Sequence, residues 1–574
     1  MKHVYIVIKI IQEVTNYMNI YLYNNIMFVL KLTLDYFLKN KLKIIIYFLI
    51  IALTYPFESL VISKNISKLS QTIPNFTKQK PLIIKLIMYI CIFWSIIKIA
   101  NILKHYIEDY IYPQFYLSMR KFMFDNILKR YREDYKDISV GEVLTNIIFI
   151  PGAVKHTVMS ILTALVPSIM TILFINGYFL TKSYKLFLLS ISAPITALVL
   201  YALVGVKCVE KARVRDIFFG NMNENIKDKL SNLFAIYTDN NIEQEIKDYH
   251  NLEKTYLDID LETKNCNNKL FTLLNVSAII FFIAIMILLF VLRNNKQINS
   301  ETFITCLVML TYYFIFINSF AHELPYLNTN IGQLINAEDF LKDITKKYKE
   351  SDPNIKNKIN KGHIRVNHVS FKYNGMLKNI LTNISFVVKP RESVAIFGKS
   401  GSGKTTIIKL LMGFYKINKG TITIDNTDLY DYNLGYLRNN ISYVNQGTQL
   451  FNNTILENIK YGMNISDKEV RSFVKKYNIT IFNKLEKGLH TNVGVNGNLI
   501  SGGQKHVVLL IKAFLKTSKL YILDEPITGL DNKIKNQIMT LIRDLSKDKT
   551  VIIISHDNDI KKIVNRVIHF KGGE

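Results

Sequence analysis

Chemistry is first indicated by an eight-residue loop, Gly398-Lys399-Ser400-Gly401-Ser402-Gly403-Lys404-Thr405. The loop follows a short apolar run and precedes a helix-like run from Thr406 to Phe414. Glycines let backbone N–H groups approach phosphate oxygens closely, and a helix N-terminus favours their negative charge. Lys404 would reach the β- and γ-phosphates, and Thr405 would offer its hydroxyl to Mg²⁺. The loop therefore predicts a site for nucleotide phosphates and leaves the reaction open.

Further polar groups follow the loop, most of them at or near the end of a short apolar run. They are, in chain order, Tyr443-Val444-Asn445-Gln446, Ile500-Ser501-Gly502-Gly503-Gln504, Leu520-Tyr521-Ile522-Leu523-Asp524-Glu525, Thr528-Gly529-Leu530-Asp531 and Val551-Ile552-Ile553-Ile554-Ser555-His556. Upstream, Phe371-Lys372-Tyr373 offers an aromatic ring that could stack on adenine. Alternating apolar runs and glycine turns from about Ile355 predict an α/β domain over residues 355–574.

At these motifs the chain resembles the ATP-binding cassette (ABC) transporters. The discriminating motif is Ser501-Gly502-Gly503-Gln504, which lies between the phosphate loop and the acidic pair Asp524-Glu525. A phosphate loop alone would also fit kinases and many other nucleotide hydrolases. The resemblance implies a P-loop NTPase domain that binds ATP and Mg²⁺.

The resemblance also assigns roles to individual residues. Glu525 would be the general base that deprotonates the attacking water, and His556 would bind the γ-phosphate. Oxygen ligands suit Mg²⁺. The predicted catalytic residues are Glu525, His556, Lys404 and Gln446. The predicted metal ligands are Thr405, Gln446 and Asp524. The predicted nucleotide ligands are Tyr373, Gly398, Lys399, Ser400, Gly401, Ser402, Gly403, Lys404, Thr405, Thr406, Ser501, Gly502, Gly503, Gln504 and Asp531.

A second subunit is implied by the glycine turn. In the family, Ser501 and Gly503 would contact ATP held by the phosphate loop of another cassette. This chain carries one cassette, so the resemblance implies a dimer with two sandwiched ATP molecules. Both half-sites are present in the sequence, which favours a homodimer and leaves a heterodimer with another half-transporter open.

Composition divides the chain into an apolar part and a more polar part. The 574 residues are 49% hydrophobic and carry a formal charge of +27. Much of the hydrophobicity lies in the first part, which predicts a membrane domain followed by a soluble one. Many Lys and Arg residues lie between apolar runs, where they would meet anionic lipid headgroups. No nucleic-acid motif is found, so lipids rather than nucleic acids are the expected partners.

Six apolar runs are long enough to cross a bilayer, which needs about 20 residues per helix. They are Leu42–Ile62, Leu82–Leu103, Thr157–Leu180, Leu186–Val206, Phe271–Leu292 and Thr302–Phe320. They predict an all-α six-helix transmembrane domain over residues 41–345, preceded by a segment, residues 1–40, that we interpret as an interfacial helix. An even number of spans places the long polar segments 105–155 and 207–269 on the side of the nucleotide site, the cytosol. Which membrane holds the protein stays open.

This order of membrane domain and cassette resembles the half-size ABC exporters (type-1, B-family-like). The resemblance implies ATP-driven export by alternating access, with the two long polar segments continuing the spans as helices that receive the movement of the cassettes. The four cysteines, Cys91, Cys208, Cys266 and Cys306, include no close pair. Their spacing predicts neither a metal site nor a disulfide framework.

Other functions remain open at this stage. The cassette could regulate or gate a membrane partner instead of transporting a substrate. A soluble ABC ATPase of repair or translation would leave the six spans unexplained. The transported substrate is not specified. The stretch Leu273-Leu274-Asn275 is faintly similar to the mitochondrial iron–sulfur/glutathione-related exporters, and lipid, peptide and drug substrates are equally open.

Overall fold

The computed structural model describes residues 33–34, 36–133, 140–346, 357–373, 375–399, 401–445 and 447–570. The chain divides into two compact units, one of residues 1–128 and 137–346 and the other of residues 129–136 and 347–574. Most of the predicted interfacial helix, residues 1–32, lies outside the described residues. The predicted domain limits of 41–345 and 355–574 stay predictions.

The first unit consists of helices. They are α1 (Lys41–Thr72), α2 (Phe76–Glu133), α3 (Val140–Ser160), α4 (Val166–Lys182), α5 (Tyr184–Leu200), α6 (Val206–Ser231), α7 (Leu233–Thr238), α8 (Ile242–Asn294), α9 (Ser300–Asn336) and α10 (Glu338–Thr345). Short π-helical turns join α3 to α4 and α5 to α6. In the described part of the chain, six continuous helical stretches are long and apolar enough to cross a membrane. The predicted all-α six-helix membrane domain is confirmed.

Two of these stretches continue well beyond the apolar runs. The fourth apolar run ends near Val206 and the fifth begins near Phe271, and the helices extend beyond both runs, because α6 reaches Ser231 and α8 begins at Ile242. This agrees with the expectation that the polar segment 207–269 continues the spans as helices. The polar segment between them is rich in Lys and Glu, which are good helix formers. Ion pairs join the two helices, for example Lys229 Nζ to Glu245 Oε2 at 2.7 Å. The segment is therefore a long helical hairpin.

Buried polar side chains pair with one another between the membrane helices. Tyr47 on α1 donates a hydrogen bond to Glu108 on α2 at 2.8 Å. Ser190 on α5 bonds to Asn176 on α4 and accepts, through its carbonyl oxygen, a 2.5 Å hydrogen bond from Tyr313 on α9. Such pairs fix helices together because an apolar surrounding offers no other partner for these groups.

The cysteines correct one prediction. Cys208 on α6 and Cys266 on α8 form a disulfide with their Cα atoms 5.5 Å apart, so the expectation of no disulfide is wrong. The two residues are separated by 58 positions in the sequence, and only the folding back of the α6–α8 hairpin brings them together. Cys91 and Cys306 are free thiols, the first exposed and the second buried.

The second unit is an α/β domain, as predicted. Its strands are β1 (Ile364–Phe371), β2 (Leu381–Val388), β3 (Ser393–Phe397), β4 (Lys419–Ile424), β5 (Thr427–Asp428), β6 (Ile441–Val444), β7 (Leu520–Asp524), β8 (Thr550–Ile554) and β9 (Arg566–His569). Its helices are α11 (Lys404–Leu411), α12 (Leu434–Asn440), α13 (Ile455–Lys460), α14 (Asp467–Lys476), α15 (Gly502–Leu515) and α16 (Asn532–Leu545). A parallel sheet has the order β6-β7-β8-β3-β9, and an antiparallel sheet has the order β2-β1-β4-β5.

The parallel sheet is covered on both faces, as its composition requires. All five residues of β3, β7 and β8 are buried. Alternate residues of β3 enter different clusters: Ala395 packs with the cluster that includes α15, and Ile396 packs with the cluster that includes α11. Continuous apolar strands of this kind are typical of parallel sheets with helices on both sides. The carboxyl ends of β3, β6, β7 and β8 lie along one edge, where the predicted polar motifs begin.

Candidate nucleotide and catalytic site

The phosphate loop joins the end of β3 to the start of α11. Gly401 and Gly403 have φ angles of 79° and 88°, a left-handed conformation that glycine adopts without strain. At Gly403 a side chain is also excluded, because a Cβ there would lie 2.5 Å from Leu381 Cδ2. Lys404 Nζ donates to the carbonyl oxygens of Gly398 at 2.7 Å and Lys399 at 2.8 Å. The Lys404 side chain therefore lies against the phosphate loop, where it would also contact a bound phosphate.

Unpaired donors in this loop fit an anion. The Ser402 hydroxyl is buried and has no hydrogen-bond partner among the described residues. The first N–H groups of α11 lack partners within the helix, as they do at every helix N-terminus. A phosphate oxygen would satisfy both kinds of donor. The structure thus brings Gly398, Ser402 and Lys404 together, and their binding of nucleotide stays a prediction. Ser400 lies outside the described residues.

Tyr373 lies beside the start of α11. Its hydroxyl is 3.3 Å from Thr406 Oγ1, and its ring is 5.1 Å from the ring of Tyr415 in a nearly perpendicular arrangement. A third ring, that of Phe371, lies 5.0 Å from Tyr373. Tyr373 and Thr406 are therefore adjacent to the phosphate loop, and stacking of Tyr373 on adenine stays a prediction.

Asp524 is the last residue of β7 and is buried. Burial, together with the smaller effect of the Glu525 charge, raises the pKa of its carboxyl to about 6, while Lys404 acts in the opposite direction. Because the charge of Lys404 lowers the pKa of Asp524, the end of β7 and the phosphate loop lie close enough for their charges to interact. Asp524 and the exposed Thr405 provide oxygen ligands of the kind that Mg²⁺ prefers. The third predicted ligand, Gln446, lies outside the described residues.

Glu525 is held at both carboxylate oxygens. His556, just beyond β8, places its Nδ1 2.8 Å from Oε1, and Thr528 donates its hydroxyl to Oε2 at 2.8 Å. Parallel pairing of β7 with β8 brings the two strand ends together. The backbone of Glu525 has a φ of 51°, and its N–H donates to Ile554 O at 2.9 Å. These contacts hold the Glu525 carboxylate in one orientation at the carboxyl end of β7.

Sequence analysis missed two residues near this carboxylate. Thr528 was noted only as part of a motif, although a hydroxyl three residues after a strand-end carboxylate is well placed to turn back onto it. His506 on α15 is buried, and burial lowers its pKa. Hydrogen bonds with the backbone of Pro526 and Glu525 only partly oppose this lowering. No sequence signal pointed to His506, because the contact depends on how α15 packs against the β7 end.

The glycine turn forms the N-terminus of α15. Ser501 Oγ accepts from the Gln504 N–H at 3.2 Å, and Gln504 Oε1 accepts from the Ser501 N–H at 2.9 Å, which makes a capping box. Ser501 and Gly502 are exposed, so this helix end is open to an anion. Neither Ser501 nor Gly503 forms a hydrogen bond with the described residues of the phosphate loop.

Asp531 also caps a helix. Its Oδ1 accepts from the Ile534 N–H at 2.9 Å at the start of α16. This contact gives Asp531 a structural role, and its predicted contact with nucleotide stays a prediction.

A parallel sheet with a phosphate loop and a carboxylate pair, carried on the same chain as six membrane-spanning helices, defines a nucleotide-binding integral membrane protein. Comparison with protein families agrees. The family described as ABC transporter matches residues 381–528, and the family described as ABC transporter transmembrane region matches residues 41–317. The chain belongs to the ABC transporter family.

Individual relatives match a smaller part of the chain. An ATP-dependent lipid A-core flippase of Vibrio parahaemolyticus is 40% identical over 201 residues, which is 34% of this chain and 34% of that protein. The flippases of Haemophilus influenzae and Yersinia pestis are 40% and 38% identical over 199 residues, again 34% of each chain. The matched region therefore spans about a third of these relatives.

A solved structure matches nearly the whole fold. A bacterial Atm1-family ABC exporter with ATP bound superimposes with a TM-score of 0.83, covering 92% of this chain and 93% of that chain at 20% sequence identity. At this identity the similarity establishes the shared fold.

Proposed function

We propose that this protein is a half-size ABC exporter that hydrolyses ATP and moves a substrate across a membrane by alternating access. The observation that carries the proposal is the arrangement around Glu525, whose carboxylate lies between His556 and Thr528 at the carboxyl end of β7. The same strand end carries Asp524, and Lys404 acts on its charge from the phosphate loop. This is the set of groups that ATP hydrolysis requires, on a chain with six membrane spans.

Each residue has a role in that reaction. Lys404 and the N–H groups at the start of α11 bind and neutralise the phosphates, which is the main task of a phosphoryl-transfer site. Thr405, Asp524 and Gln446 would hold Mg²⁺, which supplies further positive charge next to the phosphates. Glu525 accepts a proton from the attacking water, and His556 keeps the carboxylate oriented and reaches towards the γ-phosphate. Gln446 completes the set by orienting the water.

A dimer follows from the placement of the glycine turn. Ser501 and Gly503 lie at an open helix N-terminus that forms no hydrogen bond with the described residues of the phosphate loop of the same chain. Such a terminus suits the γ-phosphate of a nucleotide held by another subunit. This chain contains both the loop and the turn, which supports a homodimer with two sandwiched ATP molecules. The nucleotide sites then face the cytosol, where ATP is available.

The decisive experiment replaces Glu525 with Gln in the purified full chain. We expect ATP turnover to fall at least about a hundredfold, because general-base catalysis contributes that much or more. Binding of a fluorescent ATP analogue should be retained, since the Glu525 side chain forms no hydrogen bond with the described residues of the phosphate loop. Hydrolysis at near the parent rate would overturn the assignment.

Transport is tested separately with the parent chain in proteoliposomes. Lipids, glutathione species and peptides are supplied in turn, and we expect at least one class to stimulate ATP turnover and to cross the bilayer only in the presence of ATP. The E525Q variant is the matched control, because it should bind ATP without moving the substrate. Turnover without transport of any class would favour a protein that regulates a membrane partner.

A further inference from the structure

Side-chain links join α6 and α8 along the length of the hairpin. All of them follow the same antiparallel register. One disulfide and three ion pairs join the helices: Cys208–Cys266, Lys211–Glu262, Arg215–Asp260 and Lys229–Glu245. Lys229 lies 21 residues after Cys208, and its partner Glu245 lies 21 residues before Cys266. The disulfide therefore falls where the antiparallel register of the hairpin requires a pair, at the end of the hairpin that leads into the membrane spans.

The two cysteine residues differ in exposure. Cys208 is fully buried, whereas Cys266 is half-buried on the opposite helix. Cys208 follows the fourth apolar run, which ends at Val206, and Cys266 precedes the fifth, which begins at Phe271. The pair thus lies at the border of the membrane segments, and Cys266 is the more exposed residue of the two.

We propose that Cys208 and Cys266 form a reversible thiol–disulfide site that a low-molecular-weight thiol opens at Cys266. The thiolate of the reductant attacks Cys266 Sγ, the Cys208–Cys266 bond breaks, and Cys208 leaves as a thiolate that takes up a proton. A second reductant thiol attacks the mixed disulfide and releases Cys266 as a thiol. Two reductant thiols are thereby oxidised to one disulfide, and both cysteines of the protein are reduced.

Reduction would leave only non-covalent contacts at this end of the hairpin, among them the apolar packing of Leu270 with Val204 and Tyr201. The nearest ion pair, Lys211 with Glu262, is exposed at 45% and 70%, and such pairs contribute little because water and salt screen them. Packing on the other side of α6 is tight, since a Cβ at Gly332 of α9 would lie 2.9 Å from Ala212. Opening the disulfide therefore removes the covalent link between α6 and α8 near the spans, while α6 stays packed against α9. The ion pairs Arg215–Asp260 and Lys229–Glu245 still join the rest of the hairpin.

A functional consequence follows, and this part rests on the proposed exporter function. α6 and α8 continue the fourth and fifth spans, so the disulfide adds a covalent link through which movement of one span is passed to the other. When the disulfide is open, movement transmitted to one helix is passed less completely to the other. Reduction should therefore lower the ATP turnover that is linked to movement of the spans.

The thiol chemistry is tested first, without reference to ATP. The full chain, purified without added reductant, is denatured and alkylated with N-ethylmaleimide, with or without prior dithiothreitol, and the masses of its peptides are measured. We expect only Cys91 and Cys306 to be labelled before reduction and all four cysteines after it. Labelling of Cys208 and Cys266 in the oxidised, unreduced protein would overturn the proposal.

The consequence is tested by ATP turnover in proteoliposomes before and after dithiothreitol. Residues that carry coupling change it by about 0.5–2 kcal/mol, so we expect reduction to lower turnover by a factor of roughly 2 to 30. The double variant C91S/C306S should respond like the parent, and C208S/C266S should not respond. Equal turnover in the oxidised and reduced parent would overturn the regulatory role, even if C208S/C266S failed to fold. Failure of the exporter proposal would appear separately, as hydrolysis by E525Q.

Discussion

Replacing Thr528 with Val tests whether the hydroxyl at this position orients Glu525. Valine keeps the branched shape and removes the group that donates to Glu525 Oε2 at 2.8 Å. A hydrogen bond to a charged group contributes about 1.5–3 kcal/mol, which corresponds to a fall in kcat of roughly 10- to 150-fold. His556 still holds the other carboxylate oxygen at 2.8 Å, so we expect a fall at the lower end of that range, about tenfold.

The assay separates orientation from binding. Steady-state hydrolysis by the full chain gives kcat and KM, and a fluorescent ATP analogue gives the affinity for nucleotide. We expect kcat to fall while KM and the affinity stay close to the parent values, because Thr528 contacts the base and not the phosphate loop. Thr528→Ser keeps the hydroxyl and should recover most of the rate.

The matched control is Thr540→Val on α16. The Thr540 hydroxyl is exposed and bonds to the carbonyl oxygen of Asn536 within its own helix, away from the carboxylate. This variant should hydrolyse ATP like the parent. The reasoning is refuted if Thr528→Val is as fast as the parent, or if Thr528→Ser is as slow as Thr528→Val.

Three further predictions concern the loop, the glycine turn and the β7 end. Gly403→Ala should abolish detectable binding of the ATP analogue, because a Cβ would collide with Leu381 Cδ2 at 2.5 Å and the φ of 88° disfavours alanine; tight binding would contradict the loop geometry. Ser501→Ala removes the cap of α15 and should lower the free energy of unfolding by about 1 kcal/mol in chemical denaturation, with Ser501→Thr as the control that keeps the cap. The Asp524 carboxyl has its pKa raised from 3.8 to about 6 in the folded protein, so the folded state binds more protons than the unfolded state between these values. The unfolding temperature should therefore fall as pH rises through this window, more in the parent than in Asp524→Asn, and parallel curves would refute the shift.

Local sequence determined the parts of this protein that depend on neighbouring residues. A phosphate loop needs glycines at fixed offsets between a strand and a helix, and Gly398–Thr405 supplies them within one short segment. A membrane span needs about 20 apolar residues in a row, so six spans were predictable from composition alone. Apolar runs such as Val551–Ile554 likewise predicted buried strands. These features are set by short-range patterns and the fold agrees with them.

Tertiary structure decided which distant groups meet. His556 contacts Glu525 because β8 pairs with β7. The two residues are 31 positions apart in the sequence, and this separation does not determine the distance between their side chains. Cys208 meets Cys266 because charged residues continue two spans as a hairpin, a register that the spacing of the cysteines did not reveal. Thr528 donates to Glu525 because the chain turns sharply after β7. The sequence by itself determined the local elements, whereas strand order and helix register, which depend on long-range packing, decided the catalytic contacts and the disulfide.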